Sequence, residues 1–320
     1  MDFLSNTPSD AFLMIKSVDR KTTQKGLPYL DMMLCDKTGE ISAKFWDYHE
    51  EVHGVFEAGM IVKVRGTVSP YNGVDQLRIE KLRKAIPSDG IDASDFVPSA
   101  DLSGEQLYNE LYTIADNFQN DELRKVVTAI YSDYREKLTY WPAAFRLHHA
   151  IRGGLLYHTL SIVRLAQGVA KVYPSVDSDL LIAGAMLHDI AKTDEFTVND
   201  VGTATGYSLE GNLIGHLAKG AMIIGNTCEK LGVSEETKLL LQHMVLSHHG
   251  EPEFGAAVRP MFLEAELLSE LDLMDARVYE LTEAIGNVKS GEYTNKMWAL
   301  DNHKFYNHGR TQIDTKAKLI

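Results

Sequence analysis

The apolar period of this chain changes once, and the change falls in a segment that suits neither period. From about residue 10 to 85, apolar and polar residues alternate in short runs, the two-residue repeat of strands with one buried face. From about residue 103 to the end, apolar residues recur three and four apart, as in helices packed along one side. Between them, residues 86–102, IPSDGIDASDFVPSADL, are rich in Pro, Ser, Asp and Gly and follow neither repeat. One core cannot serve both patterns, and 320 residues exceed a typical single core. The expectation is two domains: residues 1–88 all-β, 89–102 a linker, and 103–320 all-α.

Five strands are expected near 10–18, 28–36, 40–48, 60–69 and 74–83. Turn signals separate them at Lys25-Gly26, Asp36-Lys37-Thr38-Gly39, Gly54 to Gly59, and Tyr71-Asn72-Gly73. Five short strands with a longer third connection suit an OB-type barrel, in which that connection often carries a helix. In the second part, Ser103 followed by Gln106 can form a capping box. Helices are expected over 104–117, 121–137, 154–172, 178–192, 212–231, 235–248, 260–286 and 293–302. No solenoid-length repeat or low-complexity segment is present.

The formal net charge of −13 argues against a protein that coats nucleic acid by bulk electrostatics. The charge is uneven, however. Residues 1–90 hold 12 Lys and Arg against 13 Asp and Glu, so nearly all the excess lies in the helical part. A polyanion meets least repulsion at the barrel, while negative charge in the helical part suits bound cations. Cys35 and Cys228 sit apart in apolar patterns and are expected to be reduced core thiols. The start, MDFLSNTPSD, lacks the features of a signal peptide, and no apolar run approaches membrane-spanning length. The expectation is a cytoplasmic protein, with a homo-oligomer permitted.

The strongest chemical signal lies in the helical part. His188 and Asp189 end the apolar run LLIAGAMLHDIAK, where adjacent ionisable side chains are costly unless paired or coordinated. By itself a His-Asp dipeptide is weak. Its weight comes from His158 in RGGLLYHTLSIVRLA, His216 in GNLIGHLAKGAMII and the His248-His249 pair in HMVLSHHGEPEFG, each on an apolar helix or at its end. Asp272, in ELLSELDLMDAR, is a poor core residue without a partner. Mixed imidazole and carboxylate suit first-row divalent metals, with Mn, Fe, Co and Zn all admissible. Seven ligands exceed one ion's normal demand, so two ions sharing Asp189 is the economical arrangement, one suited to phosphate-ester hydrolysis. Asp275, one turn after Asp272, competes for its role. Lys192 shares a helix face with His188, and Arg152 follows two histidines and precedes two glycines at a helix start; either can bind phosphate or be an ordinary solvated cation. His148 and His149 remain possible substrate contacts, whereas His53, His243, His303 and His308 read as ordinary.

On the third expected strand, Ile41, Ala43 and Phe45 alternate with Ser42, Lys44, Trp46 and Tyr48. Lys63 and Arg65 on the fourth strand and Arg78 on the fifth share the outward phase. Lys44, Trp46, Tyr48, Lys63, Arg65 and Arg78 would then stack bases and neutralise phosphates. The alternative is that the two aromatics are packing residues.

The first 85 residues, including FLMIKSVDRKTTQKGLPYLDMMLCDKTGEISAKFWD and VRGTVSPYNGVDQLRI, closely resemble OB-type nucleic-acid-binding domains of the anticodon-binding kind. The order His, His-Asp, His, His-His, Asp over about 140–310 resembles the HD phosphohydrolase superfamily. The two together, with RGGLLYHT, LHDIAK, LSHHGEPEFG and LDNHKFY, resemble the YhaM-type 3′-to-5′ exoribonucleases over nearly the whole chain. That resemblance implies a metal-dependent phosphodiesterase removing nucleotides from the 3′ end of single-stranded RNA or DNA, with two divalent ions and manganese as activator. It implies one ion on His158, His188, Asp189 and Asp272, the other on Asp189, His216, His248 and His249, and phosphate-orienting roles for Lys192 and Arg152. The alternative is an HD hydrolase of free or cyclic nucleotides whose barrel serves localisation or assembly.

Overall fold

The computed structural model describes residues 8–36, 39–71, 74–91, 96, 102–144, 152–199, 202, 204–297, 300, 302–311, 313 and 319. The chain divides into two compact units, Met1–Ser99 with Asn199–Thr203, and Ala100–Val198 with Ala204–Ile320. The expected turn residues Lys37, Thr38, Asn72 and Gly73, and linker residues 92–95 and 97–101, lie outside the described residues.

In the first unit, β1 (Ser9–Thr22), β2 (Pro28–Asp36), β3 (Gly39–Trp46), β4 (Ile61–Tyr71) and β5 (Val74–Lys84) close a barrel in the order β1-β2-β3-β5-β4. Within the barrel β3 and β5 pair in parallel, and the other four pairings are antiparallel. A short helix, α1 (Glu50–His53), occupies the connection between β3 and β4. Alternation puts Leu13, Ile15, Leu30, Leu34, Ala43, Phe45, Val62, Val64, Leu77 and Ile79 inside, where they form the core. Arg65 pairs with Lys81 but Gly66 with Ile79, leaving Glu80 as a bulge residue that bends the wall. A Cβ at Gly66 would stand 2.4 Å from the Arg78 carbonyl oxygen, so glycine is what lets these strands approach.

The expected strand 40–48 ends at Trp46. Asp47 has a left-handed backbone (φ 55°), which breaks the alternation and turns Tyr48 inward. Tyr48 is buried among Phe45, His53 and Phe56, its hydroxyl donating to the Gly54 carbonyl at 2.9 Å.

The second unit is helical: α2 (Gly104–Asp116), α3 (Asp121–Leu138), α4 (Gly154–Val172), α5 (Ser178–Leu187), α6 (Lys192–Glu195), α7 (Leu209–Leu213), α8 (Gly215–Leu231), α9 (Glu235–Ser247) and α10 (Leu263–Gly286), with a small hairpin of β6 (Phe196–Val198) and β7 (Ala204–Tyr207). Ser103 and Gln106 form the expected reciprocal cap of α2. Every residue from Leu180 to Leu187 is buried, so α5 is the central helix, and α4, α9 and α10 pack around it.

Two expected helices differ in ways that matter. The segment expected as 178–192 stops at Leu187, and the chain turns through His188–Ala191 before α6. Of the segment expected as helix 293–302, residues 293–297 are one arm of a hairpin, with Tyr293 bridged to Tyr306 and Met297 to His303, and residues 298, 299 and 301 lie outside the described residues. Its apolar residues Tyr293, Met297 and Leu300 fall at helical spacing, but Asn302 (φ 57°) reverses the chain. No described helix is long and apolar enough to cross a membrane.

Candidate metal centre and nucleic-acid face

Five segments bring the expected ligands together. His158 comes from the second turn of α4, His188 and Asp189 from the turn after α5, His216 from the start of α8, His248 and His249 from the turn after α9, and Asp272 from the middle of α10. α9 ends at Ser247, and Gly250, at φ 74°, turns the chain away just past the His248-His249 pair.

Four imidazoles share one device. His188 Nδ1 donates to the Ala185 carbonyl and His248 Nδ1 to the Val245 carbonyl, each at 2.8 Å and each three residues back. His158 Nδ1 faces Asp275 at 2.8 Å, and His216 Nδ1 faces Glu195 at 2.9 Å. Each acceptor fixes the proton on Nδ1 and leaves Nε2 for the centre, as the outer partners of metal-binding histidines do. On that inner side His158 Nε2 lies 3.3 Å from His188 Nε2 and 3.1 Å from Asp272 Oδ1. Asp189 Oδ1 is 3.7 Å from both His216 Nε2 and His248 Nε2, while its Oδ2 is 3.3 Å from His188 Nε2. One ligand atom from each of His216, His248 and His249 falls within 4.8 Å of the others, and the same holds for His158, His188 and Asp189, and for His188, His248 and Asp272.

This donor set fits divalent cations on an energetic argument. Asp189 Oδ1, His216 Nε2, His248 Nε2 and His249 Nδ1 are buried without a hydrogen-bond partner. Each such atom costs about 1–3 kcal/mol, so four together rival the roughly 5–15 kcal/mol of a domain's net stability. Cations in their midst remove that penalty. His158, His188, Asp189 and His248 are almost wholly buried, whereas His216, His249 and Asp272 retain some exposure, so solvent reaches the cluster from their side.

Charge is organised around the carboxylates. Burial would raise the Asp189 carboxyl, but Lys192, His188 and His216 hold it well below the usual range. Asp272 is likewise lowered against its burial, chiefly by His158 and His188. Burial would lower His158, yet Asp272 and Asp275 push it up to about 10. His248 and His249 are both lowered, first by burial.

Lys192 Nζ lies 2.6 Å from Asp189 Oδ2, and its burial is outweighed by that carboxylate, which raises it. The indole of Trp141 donates to the Lys192 carbonyl, and Lys137 holds Thr193 and Asp194, so α6 is clamped beside the centre. Arg152 stands just before α4 with its guanidinium 5.6 Å from the Tyr140 ring centroid. Among the described residues, no contact links it to the ligand cluster. His148 and His149 lie outside the described residues. Asp275 and Ser161 form a further pair: the Ser161 hydroxyl donates to one Asp275 oxygen while the other holds His158. Ser161 and Glu195 were invisible to pattern reasoning, because nothing in their spacing marks a partner that folding alone brings near.

On the barrel, Lys44 and Trp46 of β3 lie outward, and Arg78 of β5 sits directly opposite Lys44. Tyr29, opposite Trp46 on β2 and not expected, completes the face, with ring centroids 4.6 Å apart and Lys44 Nζ 5.1 Å from its ring. Asp31 interrupts the positive charge by pairing with Lys21 at 2.6 Å and Lys44 at 3.4 Å. Arg65 and Lys63 point outward from β4, which β5 separates from β3, and Lys63 lies over Phe12 of β1. The six expected residues therefore divide into Lys44, Trp46 and Arg78 on one face, Lys63 and Arg65 on the adjoining wall, and Tyr48 in the core.

Comparisons with known proteins agree with both halves. Residues 155–277 match the HD domain family, and residues 14–85 match the OB-fold nucleic acid binding domain family. The chain is 36% identical over 307 residues to the protein called 3′-5′ exoribonuclease YhaM of Listeria welshimeri, covering 96% of this chain and 97% of that one. It is 38% identical over 297 residues to the protein of the same name from Geobacillus sp., covering 93% and 91%.

Proposed function

Because the chain belongs to the family of YhaM 3′-5′ exoribonucleases, we propose that it shortens single-stranded RNA stepwise from the 3′ end, with single-stranded DNA as a second substrate. Residues 1–88 would retain the strand and residues 103–320 would hydrolyse its last phosphodiester. The observation that carries this reading is the set of buried, partnerless donor atoms converging on Asp189.

Two divalent cations are the economical complement, with Mn²⁺ favoured by the mixed imidazole and carboxylate donors and Co²⁺, Fe²⁺ or Zn²⁺ as alternatives. His158, His188, Asp189 and Asp272 would hold one, and Asp189, His216, His248 and His249 the other. When bound, such cations supply Lewis acidity toward phosphate oxygens and lower the pKa of water. The chain's own residues do the rest. Nδ1 partners keep four imidazoles aimed inward, and Asp275 orients His158 while Asp272 faces the centre. Lys192, anchored through α6, presents its ammonium at the same point and would pair with an oxygen of the scissile phosphate; Arg152 would hold the next phosphate along the strand. Tyr29, Trp46, Lys44 and Arg78 would stack bases and neutralise backbone charge, with Lys63 and Arg65 extending the path. We place the enzyme in the cytoplasm, in keeping with Cys35 and Cys228, both buried free thiols.

Purified protein with Mn²⁺ and 5′-labelled single-stranded RNA should produce a descending ladder. Asp189→Asn should abolish the ladder while RNA binding persists. No cleavage with any divalent metal, or turnover confined to mononucleotides and cyclic nucleotides, would overturn the exonuclease reading.

A further inference from the structure

The last stretch of the chain differs in charge from the helical unit it belongs to. Residues 289–320 hold six Lys and Arg against three Asp and Glu, whereas the rest of that unit is strongly acidic. Its described residues include the two arms of a hairpin, with Tyr293 bridged to Tyr306 and Met297 to His303. Thr294 N donates to the Phe305 carbonyl at 2.9 Å and Met297 N to the His303 carbonyl at 3.0 Å. The buried Asn307 anchors the hairpin to the end of α10 through the Ile285 and Val288 carbonyls. On this base Tyr293 and Tyr306 stand side by side, centroids 5.1 Å apart.

Tyr293 and Tyr306 are 64% and 48% exposed, so the pair leaves aromatic surface open to solvent. Lys289, Lys296, Lys304 and Arg310 of the same segment are exposed, and none forms an ion pair among the described residues. Glu292, the acid nearest in sequence, is engaged in capping the Lys289 amide at 3.3 Å. Exposed cations on the same short hairpin as two exposed tyrosines, within an otherwise acidic unit, complement a polyanion with stackable rings.

We propose that this hairpin is a second contact for single-stranded nucleic acid, in which Tyr293 and Tyr306 stack bases and the lysines meet the flanking phosphates. The inference rests on the exonuclease reading for the direction of the strand. Asp272 and the hairpin's anchor at Ile285 are thirteen residues apart on α10, about 20 Å at 1.5 Å per residue. The hairpin would thus take bases several nucleotides upstream of the 3′ end being cut, and a dinucleotide at the centre could not reach it.

The test uses the full chain with Mn²⁺, comparing long oligo(U) RNA with uridine dinucleotide. Tyr293→Thr with Tyr306→Val keeps β-favouring residues in both arms and removes the rings. KM for the long strand should rise roughly tenfold or more, since stacking a base contributes about 1–3 kcal/mol. The loss on the dinucleotide should be much smaller, and Tyr→Phe at both positions should restore long-strand KM. Ultraviolet crosslinking of the wild-type chain to oligo(U) should label a peptide containing Tyr293 or Tyr306. Equal losses on both substrates, no loss on either, or a changed oligomeric state with unchanged KM would overturn the proposal, the last assigning the rings to a second copy of the chain. If the wild-type chain cuts no single strand, the exonuclease reading fails, and the crosslink still decides the contact.

Discussion

Asp272 and Asp275 stand one turn apart on α10 and face opposite nitrogens of the same imidazole. Asp272 lies toward Nε2 of His158 and the centre, whereas Asp275 holds Nδ1 and is itself held by Ser161. Their substitution should therefore separate. Asp275→Asn should weaken metal affinity by roughly 10–100-fold, the usual effect of an outer partner, and Asp272→Asn should weaken it further. Competition with a chelator reads both, and the reverse ranking would exchange their roles. His158 adds a pH signature. Its value in the metal-free fold, about 10, lies above the ordinary histidine range. Its charged form thus contributes stability that is complete below about pH 6.5 and is lost as pH rises through the folded value. A cation needs Nε2 unprotonated, so adding Mn²⁺ to metal-free protein near pH 8 should release a proton from this side chain, read by an indicator dye in weak buffer. Uptake without proton release would contradict the charged form.

At the scale of elements, the short α6 has an influence beyond its length, because Glu195 at its end orients His216. Gly211 in α7 makes that possible: a Cβ there would stand 2.2 Å from the Glu195 carbonyl oxygen. Gly211→Ala should displace Glu195, lower metal stoichiometry, and destabilise the helical unit by about 1–3 kcal/mol in urea unfolding. An unchanged stoichiometry would show that His216 needs no such support. The same scale explains what pattern reasoning reaches. The barrel strands and the long helices were legible, since one face of each meets a core and imposes period two or 3.6. The residues that converge on the candidate centre were legible because ionisable residues in apolar helices are conspicuous. Tyr48 was not, because a single left-handed residue, Asp47, shifts the phase. The 293–302 segment was not, because Tyr293, Met297 and Leu300 fall at helical spacing although Met297 already pairs with His303 across a hairpin. Tyr29 escaped notice because its partner Trp46 lies on another strand.

For the whole molecule, the proposed function gives the barrel the first grip on the strand and the helical unit its cleavage. Lys44→Ala with Arg78→Ala should flatten the salt dependence of single-strand affinity, by about 0.7 in the log–log slope per charge removed. An unchanged slope in a binding titration without divalent metal would mean that this face meets no phosphate. The two units also draw on the chain differently. The barrel closes from a continuous stretch ending at Lys84, whereas the candidate metal ligands are gathered from His158 to Asp272. During synthesis, N-terminal domains fold first. On the proposed metal assignment, a chain broken off before residue 272 would grip a transcript without being able to trim it, so the power to degrade RNA would arrive only when translation is nearly complete.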